Sequence, residues 1–215
     1  MIGNYLIQNK DSIDNIIQID LFDTIFQSDP FERFKRKNLF YLCYEDANIY
    51  ELFHDDNWFK GEFKKTCDTL HDQCCSTINF TSLMMRMKPI NGGMMAGNVT
   101  QFINFTNLMR KYGDENSQNG RGDDQHFLTF AIYLNHFHKY LNYEILNYSS
   151  DFMVAGSRYY MGHPERIDEQ IFGNWSVDGK VPAIYHQFDR SYYYINQVKN
   201  QCHLIGKLSN HIEKK

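Results

Sequence analysis

Two carboxylates three positions apart, Asp20 and Asp23 in the stretch IDLFDTIFQSDPF, close an apolar run near the beginning of this chain. Carboxylate oxygens are hard ligands, and a pair of them at the end of a strand can hold a divalent cation. In open α/β sheets, ligands gather at the carboxyl ends of the strands, which is where such a pair would stand. The plainer alternative is that Asp20 caps a turn while Asp23 is solvated.

The elements that would position these carboxylates can be read from pattern. The run NIIQI (15–19) predicts a short buried strand, because its apolar residues are continuous and end in turn chemistry. In SDPF, Pro30 fixes its own backbone angle and pushes Asp29 away from helix, so the strand stops there. NLFYLCY (38–44) predicts a second strand, and WFKGEFKKTCDTLHDQC (58–74) a surface helix. KPINGGMMAGN (88–98) reads as a strand or turn whose glycines let the backbone lie against something. Val99, Phe102, Ile103, Thr106 and Met109 keep helical spacing and predict an amphipathic helix ending at Gly113. Phe127, Phe130, Ala131 and Leu134 repeat that spacing, with Asp123 or Asp124 as its N-terminal cap. YEILNY and VPAIYHQF are later strand candidates, followed by a short helix from Tyr192. Strands alternating with helices point to the α/β class.

The 215 residues are enough to bury a core, and the length favours a single domain over the whole chain. A composition 42% hydrophobic and 16% aromatic belongs to a globular chain, not a disordered one. The net charge of −4 offers no basic face for a phosphate backbone, which argues against nucleic acid as a partner. No stretch reaches the roughly 18 apolar residues of a membrane span. Asn79, Asn98, Asn104, Asn147 and Asn174 each begin an Asn-x-Ser/Thr sequon, more than chance provides in a chain poor in Ser and Thr, and this favours a secretory compartment, the Golgi or ER lumen. An Asn-rich cytoplasmic chain that is never glycosylated is the alternative. The five cysteines, Cys43, Cys67, Cys74, Cys75 and Cys202, permit either a lumenal disulfide such as Cys67 to Cys74 or a set of reduced thiols.

Taken in order, IDLFDTIFQSDPF, the glycine stretch INGGMMAG, GDDQ (122–125) and the late IYHQFDR (184–190) resemble nucleotide-sugar-dependent glycosyltransferases of the GT-A fold. That resemblance spans residues 15 to 191. It implies an α/β domain with a mixed sheet flanked by helices. It implies transfer of a sugar from a nucleoside diphosphate sugar to a hydroxyl acceptor on a glycan or protein. By the same resemblance, Asp20 and Asp23 match the metal-binding acidic motif, although two residues separate them where the family has one. Asp23 is the favoured direct ligand and His186 completes the coordination; an imidazole beside carboxylates suits Mn2+, with Mg2+ as the alternative. Asn91, Gly92, Gly93 and Gln125 correspond to positions around the transferred sugar, and Asp124 to the acidic residue that contacts it, as acceptor base or electrostatic stabiliser. For Asn91 to Gly93 an ordinary tight turn is an equal alternative. Transfer from a nucleoside diphosphate builds negative charge on the leaving diphosphate, and a cation together with a guanidinium such as Arg190 would stabilise that charge. Since the acidic motif falls at residue 20, the resemblance implies the C-terminal portion of such a domain, lacking part of its nucleotide-binding half.

Two other functions fit parts of the pattern. A shortened transferase could be a catalytically silent carbohydrate- or partner-binding remnant. DLFDTIF also resembles the first motif of haloacid-dehalogenase-like phosphatases, in which Asp20 would be the nucleophile.

Overall fold

In a computed structural model, the chain is described at residues 2–21, 23–34, 38–45, 56–72, 76, 79, 82, 85–113, 123–147, 150–155, 167–169, 175–177 and 179–187. Helix α1 (Ile2–Asn9) leads into strand β1 (Asn15–Ile19), which matches the apolar run seen in the sequence. Strand β2 (Thr24–Phe26) follows the acidic turn. Asp29 then caps a 3-10 turn at Pro30–Arg33 by accepting from the Phe31 N–H; β1 has already ended at Ile19, and the strand before this turn is β2. Next come β3 (Phe40–Tyr44), α2 (Asp56–Thr69) and β4 (Ile90–Asn98). Helices α3 (Val99–Gly113) and α4 (Asp123–Tyr133) precede β5 (Tyr143–Leu146), β6 (Met153–Ala155), β7 (Ile167–Glu169), β8 (Trp175–Val177) and β9 (Ile184–His186). The helix expected from Tyr192 lies outside the described residues.

The strands form two mixed sheets and a ribbon, where the resemblance implies one mixed sheet. The first sheet has the order β1-β4-β3-β5, with β4 antiparallel to both neighbours and β3 parallel to β5. In the second, β9 lies between β2 and β6, antiparallel to the former and parallel to the latter. Strands β7 and β8 pair only with each other among the described residues. The division arises at the acidic turn: the chain leaves the first sheet after Ile19 and enters the second at Thr24, so one short loop serves both.

Side-chain alternation along β3 explains how the layers stack. Phe40 and Leu42 point into a core with helices α1, α3 and α4, whereas Leu39, Tyr41 and Cys43 point into a second core with β6 and β9. A strand buried on both faces reads as a continuous apolar run, which is what NLFYLCY shows. In the first core, the Phe40 ring meets Phe102 edge-on at 5.0 Å and stacks on Phe105 at 4.7 Å. Helix α3 starts without a loop: Asn98, the last residue of β4, accepts the Gln101 N–H at 2.8 Å and supplies the N-cap. Helix α4 is buried more fully than a surface helix, including His126 and Thr129, and Thr129 Oγ1 accepts the Ile90 N–H. Cys67 on α2 is disulfide-bonded, its partner lying outside the described residues, while Cys43 is a buried thiol whose ionisation is pushed upward by desolvation. Among the described residues no helix is long and apolar enough to cross a membrane.

Candidate metal centre

The carboxyl ends of β1 and β9, the start of the antiparallel β4 and the first turn of α4 carry the described residues singled out by sequence. Strand pairing brings them together. Ile19 stands opposite Met94, and the ladder runs one residue further, with the Asp20 N–H donating to the Gly93 carbonyl at 2.8 Å. The turn that follows is closed by the Thr24 hydroxyl, which donates to the Asp20 carbonyl at 2.6 Å. Thr24 then lies opposite His186 across the β2–β9 pair, and the Gln187 N–H donates to the Asp23 carbonyl at 2.7 Å. On its other side β9 is held by β6, where Ala155 is the partner of His186.

The result is a cluster in which Asp20, Asp23 and His186 each offer a ligand atom, all within 4.8 Å of one another. Exposure falls across it, from the exposed Asp20 through the half-buried Asp23 to His186, which is 1% exposed. Asp23 Oδ1 lies 3.1 Å from His186 Nδ1, yet it accepts no hydrogen bond. A buried carboxylate oxygen without a partner is costly, and a cation is one group that removes the cost.

Gly93 forms the floor of the cluster. A Cβ at this position would collide with Asp20 Oδ2 and stand 2.7 Å from His186 Nε2, so only glycine leaves room where these two ligand atoms approach each other. Two carboxylates and an imidazole around such a space suit Mn2+, or Mg2+ with additional oxygen ligands.

Beside this centre lies a buried polar group that the sequence reading missed. Glu45, 6% exposed at the carboxyl end of β3, accepts from Asn91 Nδ2 at 3.2 Å and from Gln125 Nε2 at 2.7 Å through the same oxygen, Oε1. Asn91 is itself 1% exposed, and its Oδ1 accepts the Gly93 N–H at 3.0 Å. Both ends of the Asn91 amide are therefore engaged by the protein, and the residue shapes the β4 backbone. Gly92 packs against Gln125, with only 3.2 Å between the Gln125 Cβ and the place a Gly92 Cβ would occupy. Asp124 is exposed in the first turn of α4, where its Oδ1 accepts the Gln125 N–H at 2.8 Å and a negative charge suits the helix dipole. Arg190 lies outside the described residues.

Sequence had a signal for Glu45, a carboxylate directly after the apolar run FYLCY, of the same kind that drew attention to Asp20. Thr24 offered none, since its two partners become visible only once β2 and β9 are paired. No family model and no curated protein matches this chain.

Proposed function

We propose that this protein is a metal-assisted glycosyltransferase of GT-A type, moving a sugar from a nucleoside diphosphate sugar to a hydroxyl acceptor on a glycan or protein. The observation that carries this reading is the convergence of Asp20, Asp23 and His186 over Gly93, next to Asn91 and Gly92 on β4 and to Gln125 on α4. Two carboxylates gathered around a buried imidazole from residues 166 positions apart are a donor set that suits a divalent ion bound to a diphosphate.

In this reading Asp20, Asp23 and His186 hold Mn2+ or Mg2+, and the ion, when bound, neutralises charge that develops on the leaving diphosphate. Gly92 makes room for Gln125, and Gly93 for the ligand atoms of Asp20 and His186, beside which the donor would lie. Glu45 fixes the amides of Asn91 and Gln125 beside it. Asp124 stands ready to take the acceptor proton or to stabilise positive charge on the sugar, and Arg190 offsets negative charge on the leaving group. The sequons and the disulfide-bonded Cys67 support a secretory location.

Isothermal titration of uridine and guanosine diphosphates, with and without Mn2+, tests the proposal. Metal-dependent uptake of one nucleotide is the expected result. The absence of uptake of either would rule the reading out, and uptake without sugar transfer to any acceptor would identify the silent binding module instead.

A further inference from the structure

Thr24 has a single hydroxyl hydrogen, and two atoms lie within hydrogen-bonding distance of its oxygen: the Asp20 carbonyl at 2.6 Å and His186 Nδ1 at 2.9 Å. A carbonyl oxygen can only accept, so the short contact to Asp20 takes the hydroxyl hydrogen. Oγ1 is then an acceptor toward the ring, and the hydrogen between it and the imidazole must belong to Nδ1. In the neutral ring this puts the lone pair on Nε2. Nε2 is the nitrogen on the Gly93 side, where Asp20 Oδ2 also arrives. Asp23 Oδ1, 3.1 Å from Nδ1, adds a favourable charge on that side of the ring without receiving its hydrogen.

We propose that Thr24 is a positioning residue for the metal centre: its hydroxyl fixes His186 as the Nδ1–H tautomer and so selects Nε2 as the atom that takes the cation. This rests on the metal-binding reading above, and it names a residue and a ligand atom that the reading does not. The same hydroxyl ties the ring to the backbone of Asp20, so imidazole and acidic turn move as one unit. Partners that hold the second nitrogen of a ligating histidine typically contribute about 10- to 100-fold in metal affinity.

The test compares the full chain with Thr24→Val, which keeps the shape and removes the hydroxyl, and Thr24→Ser, which restores it. Two measurements are made: Mn2+ titration followed by calorimetry, and 15N NMR of the imidazoles in the metal-free protein at a pH where they are neutral. The wild-type His186 is expected to show a protonated Nδ1 and an unprotonated Nε2. Thr24→Val is expected to lose that single signature and to bind Mn2+ about 10- to 100-fold more weakly, with Thr24→Ser close to wild type. A wild-type ring protonated at Nε2 overturns the proposal. So does a valine variant with undiminished Mn2+ affinity, or one whose affinity falls while the imidazole signature stays unchanged, because the hydroxyl would then have only a structural part. If the wild type takes up no Mn2+, the functional reading fails, and the metal-free signature still decides the tautomer by itself. Should Thr24→Val not fold, Thr24→Ala removes the hydroxyl in its place, and a wild-type ring protonated at Nε2 still overturns the proposal.

Discussion

Asp20 and Gly93 are joined backbone to backbone, N–H to carbonyl at 2.8 Å, and the Asp20 carboxylate folds back over the same glycine. The strand ladder thus fixes both the distance and the facing of the first carboxylate relative to the floor of the centre. The β3–β4 register shifts between Leu42 and Tyr44, opposite this stretch of β4, so the floor is held by β1 and by the Asn91 side chain, which accepts the Gly93 N–H.

Gly93→Ala inserts a methyl group into the space shared by Asp20 Oδ2 and His186 Nε2. Mn2+ binding measured by calorimetry is expected to disappear, with a stability loss of about 1–3 kcal/mol from overpacking. Wild-type affinity in this variant would show that the ion does not sit over Gly93.

Glu45→Ala leaves the buried amide hydrogens of Asn91 and Gln125 without their shared acceptor. Urea denaturation should show a loss of about 1–3 kcal/mol. Glu45→Gln retains a carbonyl oxygen that can accept and should lose less. Equal losses in the two variants would mean that packing, not the hydrogen bonds, sets the cost.

Asn98→Ala removes the N-cap of α3 and its bond to Asn38. About 1 kcal/mol of stability should be lost, while Asn98→Asp keeps an acceptor for the Gln101 N–H and should recover most of it. Thermal unfolding of the pair measures the difference.

Phe40→Ala opens the first core between β3 and the rings of Phe102 and Phe105, and should cost about 3–5 kcal/mol. Phe26→Ala, on the half-exposed face of β2, should change stability by no more than about 0.5 kcal/mol. Denaturant midpoints distinguish the two.

Much of the scaffold was legible because its signals are local. Apolar runs with β-branched or aromatic residues marked β1 and β3, and helical spacing marked α3 and α4, whose bounds agree with the reading to within a residue or two. Within 88–98, which reads as strand or turn, Ile90–Asn98 is a strand whose register against β3 shifts beside Gly92 and Gly93. Strands β2 and β6 escaped notice because three residues are too few to display a period, and they are held by partners far along the chain. For the same reason a single sheet was expected where there are two. The candidate ligands were legible as residue types, but their meeting depends on the pairing of Thr24 with His186, 162 positions away, which no local pattern encodes.

The central claim is that Asp20, Asp23 and His186 clasp one divalent ion, and Mn2+ titration of the wild type beside Asp20→Ala, Asp23→Ala and His186→Ala tests it most directly. The account predicts one Mn2+ per wild-type chain and a loss of binding in each variant, with all four proteins folded by circular dichroism. Binding to the wild type that survives in all three variants, or no binding to the wild type, would contradict it.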